Sequence, residues 1–336
     1  MSVPVPSLDH VLRLTDDIGI FEHAEGCVPR RHLGYCLDDV ARALVVAVRH
    51  PEQSPVIVDL TRRYLDFVIS AQAADGRCHN RLGLDRRWED EPGIEDCWGR
   101  ALWGLGTTAA CATDPDARRR AADAFDRSAR WRCRHRRTMA FAALGASEIL
   151  TVRPNDVSAQ ALLAAAARVI GRPTGNADWP WPESRLTYAN AVLPEALIAA
   201  GHHLGDARTL EDGLHLLGWL VDVETREGHL SVTPVGGWSL GEPRPGFDQQ
   251  PIEAAALADA CSRAWGLTGD VRWAHTVEQA VGWFLGDNDT GTSLYEPASG
   301  GGCDGLHIVG RNENQGAEST LALIATLQHA RQLVPS

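Results

Sequence analysis

Apolar positions recur along almost the whole chain at the three-to-four-residue spacing of a helix, and they fall into two alternating kinds of segment. The first kind is amphipathic. Residues 55–73 carry Val58, Tyr64, Leu65 and Val68 with polar residues between them, and 116–131 and 159–170 read alike. The second kind is rich in Ala and Leu, and each example begins directly behind a short polar or acidic cluster. Six such starts occur: Leu37-Asp38-Asp39 before 40–48, Glu95-Asp96 before 100–110, Arg137-Thr138 before 139–150, Tyr188-Ala189-Asn190 before 194–201, Asp248-Gln249-Gln250 before 251–264, and Asn314-Gln315 before 316–330. Six helices of one type interleaved with plainer ones predict a closed ring of six helical hairpins. The inner helices then all point the same way and open their polar clusters onto one rim.

Two segments support this reading as visible repeats. The stretch from Leu204 to Val221 aligns without gaps to that from Thr268 to Leu285, with a shared Gly-Asp turn and a shared Gly-Trp. Pro194 and Pro251 stand where a first helical residue is expected, since the missing N–H has no partner there anyway. Five outer helices are clear, and residues 7–15, opening on a serine cap, supply the sixth. The expected fold is all-α, an (α/α)6 toroid forming a single domain over residues 1–336, with one functional rim.

The first two starts carry paired carboxylates, Asp38 with Asp39 and Glu95 with Asp96, each followed by Arg-Ala-Leu. One acid at a helix start is ordinary, because it caps free N–H groups and offsets the dipole. Two adjacent acids at two equivalent starts exceed that need. Successive helical residues point about 100° apart, so one acid caps while the other faces the ring's interior. Cleavage of a glycosidic bond needs one protonated acid and one ionised carboxylate, and crowding carboxylates raises one pKa. Asp39 and Asp96 are therefore expected as the acid/base pair, with Asp38 and Glu95 supporting them. Arg42 and Arg100 offer the competing role of holding these acids in a structural network.

Elsewhere on the rim, aromatic and amide side chains suit the recognition of hydroxyl groups. Tyr35, Arg42, Trp98, Trp181, Glu183, Tyr188, Asn190, Asp248, Gln249, Gln250, Glu253, Asn314, Gln315 and Glu318 are the candidate substrate-binding residues. Trp219 and Trp283 are expected to pack between helices instead. Chemistry is thus expected at hairpins one and two, and substrate reading opposite.

The bulk numbers narrow the function further. A net charge of −12 and a pI near 5.5 argue against a nucleic-acid protein. The one basic run, residues 127–137, reads as a solvated face. No apolar stretch approaches the ~20 residues of a membrane span, and the start of the chain lacks the pattern of a signal peptide. Eight cysteines without a Cys-x-x-Cys pair fit a reduced, cytoplasmic protein. No histidine or thiolate spacing suggests a metal, and no glycine loop suggests a nucleotide, so no cofactor is expected.

The segments Gly34-Tyr-Cys-Leu-Asp-Asp-Val-Ala-Arg-Ala-Leu44, Glu95-Asp-Cys-Trp-Gly-Arg-Ala-Leu-Trp103, Phe247-Asp-Gln-Gln-Pro-Ile-Glu253 and Asn314-Gln-Gly-Ala-Glu-Ser-Thr-Leu321 together resemble a family of helical-toroid domains. These occur standalone or fused behind retaining glycosyltransferase domains in bacterial carbohydrate gene neighbourhoods. The resemblance implies a six-hairpin, glycosidase-like toroid. The family pattern has an Asp where Ala189 stands here, a departure that bears on catalysis but not on the fold.

The expected function is a glycoside hydrolase acting on a short oligosaccharide. The alternatives are a non-catalytic sugar-binding domain that serves a separate glycosyltransferase or glycosidase, and a sugar epimerase. An epimerase normally uses histidine as acid and base, and none of the six helix starts contains one.

Overall fold

In the computed structural model, which describes residues 3–333, twelve helices alternate in two concentric layers. The inner layer is α2 (Leu37–Val48), α4 (Asp96–Cys111), α6 (Arg136–Val152), α8 (Val192–Leu204), α10 (Pro251–Thr268) and α12 (Ala317–Leu333). The outer layer is α1 (Asp9–Leu14), α3 (Pro55–Ser70), α5 (Pro115–Ser128), α7 (Val157–Ile170), α9 (Ala207–Val223) and α11 (Val271–Leu285). Each inner helix packs on the next, and α12 returns to α2. The ring is the (α/α)6 toroid expected from the alternation.

The two rims differ sharply. Turns such as 205–206 and 269–270 join inner to outer helices on one side, whereas the loops 15–36, 71–95, 171–191, 224–250 and 286–316 crowd the other. Those long loops contain the five short antiparallel ribbons, one of which pairs Tyr35–Cys36 with Arg81–Leu82 and so ties the first rim loop to the second. The connection 129–135 is short, which explains why the third helix start carries so little chemistry.

Side-chain caps are found at four of the six outer helix starts and at none of five inner ones. Asp114, Asp156, Asp206 and Asp270 each accept backbone N–H bonds at the start of α5, α7, α9 and α11. The starts of α2, α4, α6, α8 and α10 have no side-chain cap bond. Their acids are therefore not spent as caps, and the positive ends of their dipoles face the functional rim. Helix starts shift by a few residues from expectation. Asp38 and Asp39 lie inside the first turn of α2, and Pro194 is the third residue of α8 rather than its first.

The tightest joint in the ring is α4 against α6. A Cβ added to Gly106 would strike the carbonyl of Gly145, one added to Gly145 would strike that of Leu102, and one added to Gly99 would strike that of Thr138. Backbone rests on backbone there, and neither helix can retreat without disturbing its other neighbour. Gly145→Ala is expected to destabilise the fold by about 1–3 kcal/mol or more through overpacking, read as a lower midpoint in urea denaturation.

Candidate functional site

A cavity of about 320 Å³ opens on the loop-bearing rim. The start of α2 supplies Asp38, Asp39 and Arg42, the start of α12 supplies Gly316, Glu318 and Ser319, and α4 supplies Arg100. Rim loops contribute the rest: Glu22 and His23, Asn80 and Arg81, Gln250, and Asp304.

Arg42 organises this wall. Its guanidinium bonds Asp39, one turn back on α2, at 2.5 Å and Glu318 on α12 at 2.6 Å. Asp39 is only 3% exposed. Burial pushes its pKa up to about 7; Arg42 pulls it down, and the negative charges of Glu318, Glu22 and Asp38 push it up again. A carboxyl group in that condition can hold a proton at neutral pH and release it to a substrate. Asp38 pairs with Arg100 at 3.0 Å, and Arg100 in turn lies over the Phe141 ring, 4.6 Å from its centroid. Glu22 takes both terminal nitrogens of Arg81.

Asp304 is the exception among the five carboxylates. Among the described residues it has no arginine partner. It accepts the Gly316 N–H at 2.8 Å and a bond from the Ser319 hydroxyl, while burial raises its pKa. The chain contains no lysine, so all its fixed side-chain cations are arginines.

One oxygen each of Glu22 and Asp39 and the Cys36 sulfur lie within 4.8 Å of one another, a spacing three donors to a metal would show. Both carboxylates there are already engaged by arginines. The thiol points at Asn80 Oδ1, 3.3 Å away, and burial together with nearby Asp39, Asp38 and Glu22 pushes its pKa up. The neutral thiol and the paired carboxylates make this a closed polar cluster.

Of the residues expected from sequence, Asp38, Asp39, Arg42, Gln250 and Glu318 line the cavity. The others do not. Glu95 is exposed at the start of α4, and Asp96 accepts the Thr138 hydroxyl at 2.5 Å, joining α4 to α6. The two Arg-Ala-Leu helices are therefore not equivalent, because Arg42 bonds the acid of its own helix start as well as Glu318 of α12, whereas Arg100 leaves Asp96 and reaches across to Asp38 of α2. Tyr35 donates to Asp16 at 2.7 Å and stacks on Phe21. Trp98 is fully buried, and so is Trp181, which stacks on Trp219. Trp219 and Trp283 pack as expected, and the indole N–H of Trp283 donates to Gln249.

The amides are mostly scaffold. Buried Gln249 also donates to Asp289, Gln315 accepts from the Ser299 hydroxyl at 2.5 Å, and Asn314 accepts the Gly26 N–H at 3.0 Å. Asp248 pairs with His307 at 3.0 Å. Arg137, part of the run expected to be solvated, is in fact buried. It grips Glu183 at 2.9 Å and Asn190 at 3.1 Å, and its guanidinium lies over the Tyr188 ring. Glu253 accepts the N–H groups of Ala189 and Asn190 together with the Asn190 side chain. The cavity thus joins hairpins one, two and six, with Gln250 from the start of the fifth, instead of spanning the ring.

Sequence reading missed Glu22, His23, Asn80, Arg81 and Asp304. They lie in rim loops with no periodicity to mark them. The available signal was the Gly300–Leu306 cluster, whose density of polar and glycine residues had no apolar purpose.

The fold and site together define an (α/α)6 toroid with one charged rim cavity. No family model matches the sequence, and no curated protein matches it. Solved structures share its fold. A sugar epimerase from a ruminal bacterium is 11% identical, with 98% of this chain and 96% of that one covered at a TM-score of 0.72. A cellobiose 2-epimerase from Bacillus thermoamylovorans is 9% identical, with 96% of each chain covered and a TM-score of 0.72. A GH76 α-mannanase of Bacteroides thetaiotaomicron is 10% identical, with 96% and 93% covered and a TM-score of 0.65. No helix among the described residues is long and apolar enough to cross a membrane.

Two carboxyl groups away from the cavity bear on stability. Glu224 is fully buried; it takes two bonds from Thr233 on Oε1, while Oε2 has no partner. Burial pushes its pKa up to about 7, and burial with the like charge of Glu224 pushes Glu253 to about 8, against an ordinary 4.5. The folded chain therefore holds these protons more tightly than the unfolded one. The resulting stability is fully present below pH 4.5 and is lost as pH rises through about 7 to 8. Urea midpoints measured across that range should fall with rising pH, and Glu224→Gln should flatten the fall, because glutamine Oε1 keeps both Thr233 bonds.

Proposed function

We propose that the protein is a carbohydrate-active enzyme, and that it hydrolyses a short glycoside by acid/base catalysis in the rim cavity. The observation that carries this reading is Asp39, a buried carboxyl with a pKa of about 7 on the wall of a polar cavity. Asp39 is the proton donor to the leaving oxygen. Asp304, the cavity carboxylate free of arginine, is the base that takes a proton from the attacking water. Asp304 replaces Asp96, the partner expected from sequence, since Asp96 lies outside the cavity. Glu22 is too close to Asp39 to leave the roughly 6.5–9.5 Å that an inverting pair keeps for water. Its role is electrostatic, raising the proton affinity of Asp39. Arg42 and Gln250 bind hydroxyl groups. A cavity of about 320 Å³ is at the small end for ligand sites, which fits one or two sugar rings. The sugar enzymes among the solved toroids support the substrate class.

One observation favours a second reading, epimerisation of a reducing sugar. His23 lines the cavity 3.5 Å from Glu22, so the site has a histidine after all, and two of the similar structures are named epimerases. The two reactions leave different traces. Hydrolysis releases new reducing ends from disaccharides or aryl glycosides. Epimerisation in D2O instead exchanges a carbon-bound hydrogen of the sugar for deuterium, visible by NMR.

Asp39→Asn is expected to lower kcat by ~10²–10⁴. In the parent the rate should fall as pH rises through about 7, where Asp39 loses its proton. Turnover that survives in Asp39→Asn would remove Asp39 from the mechanism. Deuterium exchange that is lost in His23→Ala, with no release of reducing ends in the parent, would select the epimerase.

A further inference from the structure

The wall of the rim cavity carries no aromatic or aliphatic side chain. Apart from Gly316 it consists of carboxylates, arginines, His23, Asn80, Gln250, Ser319 and the Cys36 thiol. Apolar side chains of the bore, Val45, Phe141, Ile252 and Ala322 among them, surround a separate space of about 50 Å³, which Arg42 and Glu318 also border. A site for a neutral ligand is ordinarily lined mostly by apolar and aromatic groups, with a few polar ones to orient it. This wall is ionic almost throughout, so charge is what it can read.

The charges on it do not balance. Five carboxylates face three arginines, and every arginine is engaged: Arg42 with Asp39 and Glu318, Arg81 with Glu22, Arg100 with Asp38. No guanidinium is left unpaired for a phosphate or carboxylate of a ligand. His23, the other basic group, lies 3.5 Å from Glu22. The excess of negative charge is concentrated at the first turn of α12. Glu318 stands on that turn, gives Oε2 to Arg42 and remains 40% exposed, while its Oε1 accepts no hydrogen bond among the described residues. Asp304 is set against the same turn by the Gly316 N–H and the Ser319 hydroxyl, and it too is partly exposed. A hard metal ion takes more oxygen ligands than these two side chains supply. Among the described residues, the one trio of His, Cys, Asp or Glu donors close enough to share an ion is Glu22, Cys36 and Asp39, which contains neither.

We propose that the cavity selects an amino sugar, whose protonated primary amine sits between Glu318 and Asp304. This rests on the reading of the cavity as a sugar site and adds the charged substituent the sugar carries. An ammonium group has three donors and no acceptor, so it can meet both carboxylates and still bond water or a hydroxyl group. The same placement serves the base. Burial raises the pKa of Asp304, and the charge of Glu318 adds to that. A cation beside Asp304 acts the other way and favours the ionised form that takes a proton from water. An acetylated amine has lost the charge, and a uronic acid or sugar phosphate brings a charge of the wrong sign.

The test is calorimetric titration of the protein with glucosamine, mannosamine and galactosamine, each beside its parent hexose and its N-acetyl derivative, at a pH where the amine is protonated. For the sugar that binds best, the amine should exceed the hexose in affinity by about tenfold or more, the scale of a hydrogen bond to a charged group. The N-acetyl form should lose that gain, and added salt should reduce it. Glu318→Gln and Asp304→Asn should each bring the amine close to the hexose while hexose binding changes little. If neither variant folds, the ranking of amine, hexose and N-acetyl sugar on the parent protein still decides. Hexoses that bind as well as their amines overturn the inference and leave the sugar reading standing. Calcium or magnesium chloride that binds the parent and displaces the amine makes this a metal site and also overturns it. Failure of every sugar to bind, amino or neutral, overturns the sugar reading itself, and this proposal with it.

Discussion

The Arg42 guanidinium is the contact on which the rest of the site depends. It reaches back to Asp39 on its own helix and across to Glu318 on the last inner helix, so one side chain closes the ring and sets the charge of the catalytic candidate. Because Asp39 is buried and shares the guanidinium with Glu318, it retains a proton that an exposed acid would lose. The same pair forms the boundary between a charged cavity and an apolar chamber. Ring closure, proton affinity and compartment are thus consequences of one placement. Without an opposite charge, an ionised Asp39 would be a buried, unpaired anion, which is far less favourable than a paired one.

Around that contact the inner helices act together. Their starts lack side-chain caps and converge on one rim, so the positive ends of several dipoles face the cluster of carboxylates in and around the cavity. Three arginines then fix all but Asp304 of the cavity acids. The arrangement explains how a chain of strongly negative net charge can gather acids at one place without splitting the fold. It also separates two uses of aspartate. Those that start α5, α7, α9 and α11 satisfy backbone N–H groups, while Asp38 and Asp39 at the start of α2 are left to pair with arginine side chains.

The ring and its functional rim were legible because they rest on periodic signals: two helix types in alternation, and polar residues at every inner start. The wall of the cavity was legible only where it lies on a helix start, at Asp38, Asp39, Arg42, Gln250 and Glu318. Glu22 and Arg81 are 59 residues apart and meet through a two-residue ribbon, a pairing that no local pattern encodes. Asp304 faces Gly316 from the opposite arm of a long loop. The candidates that fall outside the cavity share a physical cause. Asp96, Asn190, Gln249, Glu253 and Gln315 are polar residues at helix starts, as a site would show, but buried loop backbone demands partners of its own and takes them first. Aromatic residues behave similarly, since Trp181 of the fourth hairpin loop stacks on Trp219 and does not line the cavity.

The backbone contact between α4 and α6 has a further consequence. Where glycines bring the two backbones into contact, the width of the joint is fixed by the peptide groups themselves. The joint between α12 and α2 is different in kind, since it is bridged by the Arg42–Glu318 pair and by the Gln328 side chain bonded to the Val46 carbonyl. Side chains can be lengthened, shortened or exchanged, and peptide groups cannot. Of these two seams, the one between α12 and α2 is therefore the adjustable one, and what the bore admits can diversify through changes in the last helix while the joint between α4 and α6 stays as it is.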